Sequence, residues 1–522
     1  MIGRLFAKVL AGVLAAAFLS LPGQAGAVEC ASPLGPDGAP ASAAGVLLES
    51  GAIAQLYNKF NNHCVWTDGS AEKAVAILSG VEHAGLDPTD FHVPALSTQN
   101  HPASPEAARD RDILLTDAAL HYARVMTAGR VDLSAVETDS EFQFQALSYV
   151  DDLAAALSEG RADDYLTSLG PKGPAYGRLV DALARYRELT EKGGWLPLPE
   201  GPSLRPGTSG ALVSALEARL KAEGVLAEPD GSAVYDGALV AAVKRFQASH
   251  GLAPDGVVGP KTQAALNVSA VDRVQQIAVN LERWRMLARS IPTTRFEVNV
   301  PAATARLVID GETTLEMRAV VGDPKHPTPM LASKITDVVL NPYWTVPPSI
   351  VKNEIEPILA RDSGYLERNH MKWTNGNLVQ DPGGTNPLGR LRFTFANKFG
   401  VFVHDTSAPG LFANYERARS HGCLRLEKPV DLAAALLEAD PAWPRDKIEA
   451  TIAGGATIRI PLTKAIPIVV AYWTAFVDDD GTVEFRNDIY GRDARLAAAL
   501  AAAGLAGKSL GAAGSAEACG VT

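Results

Sequence analysis

Apolar residues recur at helical spacing through the first third of the chain. Residues 71–82, 110–128 and 176–191 each repeat them every three or four positions, the period of one buried helix face. Joints rich in proline and glycine separate these stretches, as at Leu86-Asp87-Pro88 and Gly170-Pro171-Lys172-Gly173-Pro174. The pattern predicts a helical scaffold over residues 42–200, with no obvious chemistry of its own.

A compact unit follows over residues 203–267. Val213, Leu216 and Leu220 share one helix face. Asp236 is placed to cap a second helix that buries Leu239, Val243 and Phe246, and Pro260 suits the first turn of a short third helix. Three short helices with glycine-marked turns make a small bundle. Residues 274–286 are then read as one more helix, carrying Arg283, Trp284 and Arg285 into the next domain.

Beyond it the period drops from about 3.6 to 2. Phe296, Val298 and Val300 alternate, as do Leu307 and Ile309, with Asp310-Gly311 as a hairpin turn. Further short strands are expected at 315–321, 335–340, 391–395 and 401–403, and helices only at 349–359 and 429–438. This predicts a mainly β domain over 293–465, interrupted by an insertion at about 344–389 that carries little strand pattern. Residues 466–522 form a C-terminal extension whose Ala/Gly-rich tail holds one helix. The fold class is multidomain α+β.

A chain of 522 residues exceeds what one core organises, which agrees with this division. The net charge of −11 and the lack of a dense Lys/Arg stripe exclude a nucleic-acid partner. Arg4 and Lys8 precede an uncharged apolar run from Val9 to Leu21. Pro22-Gly23 and Ala25-Gly26-Ala27 then supply a break and a small-residue cleavage site. That is an export signal over residues 1–27. The run is shorter than the roughly 20 residues that cross a bilayer, and no later segment is long and apolar enough to span one. Export permits disulfides among Cys30, Cys64, Cys423 and Cys519. Four cysteines allow three pairings; Cys30 with Cys64 is expected, and Cys423 must stay free if it carries chemistry.

Two segments of the β domain carry candidate chemistry. One is the apolar strand Val401-Phe402-Val403 ending in His404. The other is Arg417-Ala418-Arg419-Ser420-His421-Gly422-Cys423-Leu424-Arg425, where a cysteine follows glycine in a turn. Free cysteine is only a few per cent thiolate at neutral pH, so a nucleophilic thiol needs a base. The 19 residues from His404 to Cys423 span a strand, a loop and a return. Gly422 allows an unusual backbone angle and close approach of a carbonyl, and amides of such a turn can stabilise an oxyanion. Singly, the cysteine reads as a small buried hydrophobe and the histidine as structural.

The two together are more specific. Leu204-Arg205-Pro206-Gly207, Lys244-Arg245-Phe246-Gln247 and Asp255-Gly256-Val257-Val258-Gly259-Pro260-Lys261-Thr262 resemble the peptidoglycan-binding domain of exported wall enzymes. His404, fifteen intervening residues, and Ser420-His421-Gly422-Cys423-Leu424-Arg425-Leu426 resemble the signature of the L,D-transpeptidase (YkuD-type) catalytic domain. Thr328-Pro329, Asn341-Pro342-Tyr343-Trp344, Asn386-Pro387-Leu388-Gly389, Tyr472-Trp473-Thr474-Ala475 and Asp488-Ile489-Tyr490 resemble the larger, multi-domain Gram-negative branch.

The resemblance implies cysteine acyl transfer between peptidoglycan stems, forming 3→3 cross-links with release of D-alanine. It implies Cys423 as nucleophile and His404 as base, no cofactor and no metal. Ser420, His421, Gly422, Arg425 and Arg417 would shape the pocket or contact substrate, under a capping insertion. Partners would be stem peptides, glycan and other wall-synthesis enzymes in the periplasm, and carbapenems would inhibit. Hydrolysis by the same thioester, wall-protein attachment, and a non-enzymatic wall-binding scaffold are the competing expectations. A zinc peptidase is disfavoured by the absence of H-E-x-x-H and of paired C-x-x-C.

Overall fold

The structure, a computed structural model, describes residues 42–512 apart from 44–45, 49–51, 100–101, 143, 145 and 228–231. The expected leader, Cys30 and Cys519 lie outside the described residues. Cys64 is disulfide-bonded, and the expected pairing with Cys30 therefore also falls outside them.

The N-terminal helices pack around α1 (Pro105–Ala128), which starts on a Ser104 side-chain cap with proline in its first turn. Leu114, Ala118 and Val125 of α1 share a core with Leu56, Leu78, Phe91, Leu153 and Leu166. Asp112 breaks the apolar face of α1, but it is fully engaged. It accepts from Tyr57 Oη at 2.6 Å and from the Val65 and Trp66 amides at 3.0 and 2.9 Å. A buried carboxylate is tolerable when its oxygens are saturated in this way. Helix α2 (Pro174–Glu191) follows, and its buried face, Tyr176, Leu179, Leu183 and Tyr186, belongs to the core of the β domain.

Next comes the three-helix unit: α3 (Ala211–Ala222), α4 (Gly237–Ser249) and α5 (Pro260–Leu266). Asp236 caps α4 through Leu239 N–H at 2.8 Å, as expected. Gln247 explains why the following turn has its particular sequence. Its Nε2 donates to Asp255, to the Val257 carbonyl and to Thr262, and its Oε1 accepts from Gly256 N–H.

Helix α6 (Ala270–Leu287) touches all three parts of the molecule. Its Arg273 lies over the Phe485 ring, and Arg285 bonds Glu282, the Ala84 carbonyl and Tyr176. Around Arg273 the three-helix unit meets α2. Glu223 accepts from Tyr186 Oη at 2.9 Å and pairs with Arg219 at 2.9 Å, while His250 stacks on Phe246.

The β domain is built on β1 (Arg295–Asn299), β2 (Thr304–Ile309), β3 (Glu312–Gly322), β4 (Met330–Leu340), β5 (Leu391–Phe395), β6 (Val403–His404), β7 (Ala418–Ser420), β8 (Leu424–Leu426) and β9 (Ile458–Ala471). Neighbours run β5-β6-β8-β3-β2-β1-β9-β4, and β4 also pairs with β5, so eight strands close into a ring. Within the ring, pairing is antiparallel except for β6 with β8 and β1 with β9. Alternate residues Phe296, Val298, Leu307, Ala319, Phe393, Val403 and Leu424 enter one core. Strand β7 runs parallel to the end of β3.

Three features depart from the sequence expectation. The strand at 401–403 is shorter and shifted, to Val403–His404. The insertion holds a three-stranded sheet of Trp344–Thr345, Met371–Thr374 and Asn377–Gln380, and its helical stretch 348–359 has a π-helical middle at Val351–Ile355. Asn375 and Gly376 both have positive φ, the two-residue hairpin signal. Finally, β9 runs through residue 465, so the segment beyond that boundary completes the ring through Ile468–Ala471 on β1.

Burial holds His250 at a pKa of about 3, with Arg273 and Arg219 assisting and Glu223 opposing. Below pH 6.5 the unfolded chain therefore binds a proton that the folded chain refuses, and stability falls as pH falls from 6.5 towards 3. Replacing His250 by Gln should remove up to about 1.4 kcal/mol per pH unit of that slope. Urea unfolding at pH 6, 5 and 4 measures it; an unchanged slope would mean that His250 is charged in the fold.

Candidate active site

The site is set by one parallel strand pair. Val403 pairs with Leu424 and His404 with Arg425. Cross-strand partners point to the same side, and side chains alternate along each strand. Val403 and Leu424 therefore turn into the core, while His404 and Arg425 share the other face. Cys423, just before the strand, packs against the edge of the core and lies within electrostatic reach of Arg425. Arg392 of β5, in register with His404, joins the imidazole and guanidinium and lies over the Phe402 ring at 5.1 Å.

His404 is buried, and its Nδ1 lies 2.5 Å from the Asp405 carbonyl oxygen, which fixes the tautomer as a donor there. Asp405 is itself held by Arg390, through both N–H and Nε, at 2.9 and 2.8 Å. Gly389 (φ +62°) packs directly on this step: a Cβ there would meet Thr406 N at 2.6 Å. The Asn386-Pro387-Leu388-Gly389 segment thus seats the histidine strand. Burial and the positive charge of Arg425 push the His404 pKa down to about 4, against the carbonyls of Asp405 and Leu388.

Cys423 is free and partly exposed. Burial pushes its thiol pKa up; the Phe402 backbone N–H and the Arg425 charge oppose this. Both groups are therefore neutral at rest. No hydrogen bond joins the thiol to the imidazole among the described residues.

Every peptide group of the cysteine turn is fixed. Ser420 Oγ accepts from Gly422 N–H at 3.2 Å and donates to the Cys423 carbonyl at 2.6 Å. Thr328 Oγ1 donates to the Gly422 carbonyl at 2.9 Å. Leu424 N–H donates to the Phe402 carbonyl at 2.8 Å. Gly422 adopts φ +100°, which other residues reach only with strain. The Cys423 amide N–H has no acceptor among the described residues and is available to a ligand.

The remaining expected residues divide. Arg425 lies with the thiol and imidazole, and its Nε is buried without a partner. His421 is exposed; its Nε2 pairs with Glu354 of the insertion at 3.1 Å, and its ring packs on His326. His421 therefore ties the insertion to the cysteine turn. Arg417 faces away: its guanidinium donates to the carbonyls of Ala319, Asn414, Ala302 and Ala303, a structural task. The sequence assigns none of Thr328, Tyr490 and Arg392 a role at the site; Thr328-Pro329 and Asp488-Ile489-Tyr490 enter only as segments that resemble the larger branch. Each stands far along the chain from the Ser420–Cys423 motif: strand register brings Arg392 to His404, and hydrogen bonds made from loops bring Thr328 and Tyr490 to the cysteine turn.

Residues 293–444 match the family model of the L,D-transpeptidase catalytic domain, 51–183 that of the scaffold domain, and 209–266 the "Putative peptidoglycan binding domain". A curated relative, "Putative L,D-transpeptidase" from Haemophilus influenzae, is 30% identical over 244 residues, covering 42% of this chain and 49% of that protein. The match thus spans about half the length of that relative. Among solved structures, an L,D-transpeptidase from Xylanimonas cellulosilytica is 19% identical over 52% of this chain and 99% of its own, with a TM-score of 0.17. One from Mycobacterium smegmatis is 16% identical over 34% and 57%, with a TM-score of 0.19. Likenesses this weak support no structural argument.

The nearest atoms to a Cβ on Gly422 would lie 3.6 Å away, so alanine fits in space and costs only backbone strain. Gly422→Ala should lower unfolding free energy by about 1–3 kcal/mol without loss of the native circular-dichroism spectrum. A change below about 0.5 kcal/mol would show that the turn relaxes out of its left-handed angle.

Proposed function

We propose that this chain is an L,D-transpeptidase that cross-links peptidoglycan stems by cysteine acyl transfer, with Cys423 as nucleophile and His404 as base. The observation that carries the reading is the register of His404 on Arg425, which puts imidazole and guanidinium on one face, with the thiol within electrostatic reach of that guanidinium and beside an unused amide. The match to the catalytic-domain family model over the same residues supports it.

The chemistry follows from the groups. Cys423 Sγ attacks the carbonyl that precedes the terminal D-alanine of a tetrapeptide stem, as its proton passes to His404. The Cys423 N–H receives the developing oxyanion. D-alanine leaves with the proton from His404, and a thioester remains. The side-chain amine of a second stem attacks, His404 takes its proton, and the 3→3 link forms as the thiol departs. Because the resting thiol and imidazole are not hydrogen-bonded, the ring must turn towards Sγ when substrate is bound, as catalytic hydrogen bonds commonly tighten only then. Ser420 and Gly422 hold the turn. Arg425 favours anionic species at the site. The insertion, joined by the exposed His421–Glu354 pair, acts as the cap; such a pair is worth at most about 1 kcal/mol and opens readily.

The three-helix unit, which matches a peptidoglycan-binding family model, would hold the enzyme on its polymer. The export signal read in residues 1–27 would deliver it to the periplasm. No helix among the described residues is long and apolar enough to cross a membrane.

Mass spectrometry of purified protein with disaccharide-tetrapeptide tests the reading beside Cys423→Ala. Dimers that have lost D-alanine, made by the wild type only, are expected. Tripeptide alone would make the acceptor water; no product from either protein would sink the proposal.

The pH dependence follows from a base with a pKa of about 4. kcat/KM should rise with pH through about 4 and be flat to neutrality. Arg425→Gln removes a charge that lowers the histidine's pKa, so its acid limb should move upward. A wild-type limb at 6.5 or above would contradict the buried neutral imidazole.

A further inference from the structure

The turn that carries Cys423 is supported from outside its own motif. Gly322 N–H donates to Thr328 Oγ1 at 2.8 Å, and Thr328 Oγ1 donates to the Gly422 carbonyl at 2.9 Å. In parallel, Thr328 N–H donates to Tyr490 Oη at 3.2 Å, which donates to the Gly322 carbonyl at 2.5 Å. Both sequences run in one direction and use every donor once.

The peptide plane gives this support a consequence. The Gly422 carbonyl and the Cys423 N–H belong to the same trans peptide unit and point in opposite directions. A hydroxyl that pins the carbonyl on one side therefore aims the N–H to the other. It also polarises the unit, which makes that N–H a better donor. Thr328 is fully buried, so its hydroxyl has no water to turn to.

The support is anchored in turn. Tyr490 N–H donates to Tyr472 Oη, which donates to Asp488, and Asp488 caps the start of the helix Arg492–Ala512. Arg492 is buried beside both tyrosine rings. Its guanidinium pairs with Glu137 at 2.6 Å and with Asp139, both from the helical scaffold, and reaches the Thr328 carbonyl at 3.5 Å.

We propose that Thr328 is a positioning residue: its hydroxyl fixes the Gly422–Cys423 peptide plane so that the Cys423 amide is aimed at the oxyanion, and Tyr490 with Arg492 ties that plane to the scaffold. This rests on the acyl-transfer reading above. Thr328 touches neither substrate nor thiol.

The test uses the full chain and the tetrapeptide dimerisation assay. Thr328→Val keeps the shape and loses the hydroxyl; kcat should fall about tenfold to hundredfold, less than the roughly 10²–10³ for outright loss of an oxyanion donor because the Cys423 N–H is misaimed rather than removed, with KM changed less than about twofold. Thr328→Ser keeps the hydroxyl and should retain most of kcat. Tyr490→Phe, which leaves the Thr328 hydroxyl its two bonds but removes the acceptor of its N–H, should lose only a few-fold. All are assayed well below their melting temperatures. A wild-type kcat in Thr328→Val, or equal losses in the Ser and Val variants, would overturn the proposal. Should Thr328→Val not fold, Tyr490→Phe at a wild-type kcat would overturn the tie to the scaffold, and an inactive Thr328→Ser the hydroxyl's role. If the wild type itself forms no product, the acyl-transfer reading fails and takes this proposal with it.

Discussion

Closure of the eight-strand ring is the constraint on which the site depends. Because β4 bonds both β5 and β9, the ring has no gap in its hydrogen-bonded circuit, and the register of each strand is tied to that of its neighbours. The two-residue strand Val403–His404 could not hold its position alone. Between β5 on one side and β8 on the other it has no freedom to slip. A one-residue slip would send His404 into the core and Val403 to the outside. The placement of a single imidazole is thus a property of the whole ring.

A second constraint is the handling of buried charge where the parts meet. Glu223 with Arg219 and Tyr186, Arg285 with Glu282, and Arg492 with Glu137 all lie almost wholly out of water. Such pairs contribute little net stability, since desolvation cancels much of their attraction, but breaking one strands the other as an unpaired buried charge. Arg492–Glu137 thus pins the C-terminal helix to the scaffold, while the Arg219–Glu223 and Arg285–Glu282 pairs, each within one helix, reach the neighbouring part through Tyr186 and through the Ala84 carbonyl and Tyr176. The result differs from modules on flexible linkers. The three-helix unit also contacts the ring's own loops, through Arg486 at the Ser249 carbonyl and Lys261 at Glu416.

Much of this was legible in the sequence, for local reasons. The helical periods of 110–128 and 176–191, the Asp236 cap, and the period-2 alternation at Phe296, Val298 and Leu307 are encoded by neighbours. The Ser420–Cys423 turn announced itself by residue type. What was not legible depends on distant partners. Thr328 and Tyr490 are separated by 162 residues, and nothing local marks either as support for a turn near 423. Arg417 looked like a substrate-facing guanidinium because charge in a loop near a cysteine invites it; four backbone carbonyls from three segments claim it instead. The Asn375-Gly376 hairpin was a readable signal passed over because the flanking residues alternate poorly.

Under the acyl transfer proposed above, the electrostatics of the site raise the question of how a neutral thiol and a neutral imidazole would start the reaction. Burial raises the pKa of Cys423 and lowers that of His404, so each charged form alone is unfavourable. Separate ionisation would pay both desolvation costs without return. In the proposed mechanism, once the ring has turned towards Sγ, forming thiolate and imidazolium together recovers part of that cost through the attraction of opposite charges. Substrate completes the balance: once Sγ bonds to carbon, the negative charge passes to an oxygen that faces a fixed N–H. Proton transfer and attack are then favoured as one event rather than two. On the proposed reading, the neutral resting state of both groups leaves activation of the thiol to the arrival of a substrate carbonyl.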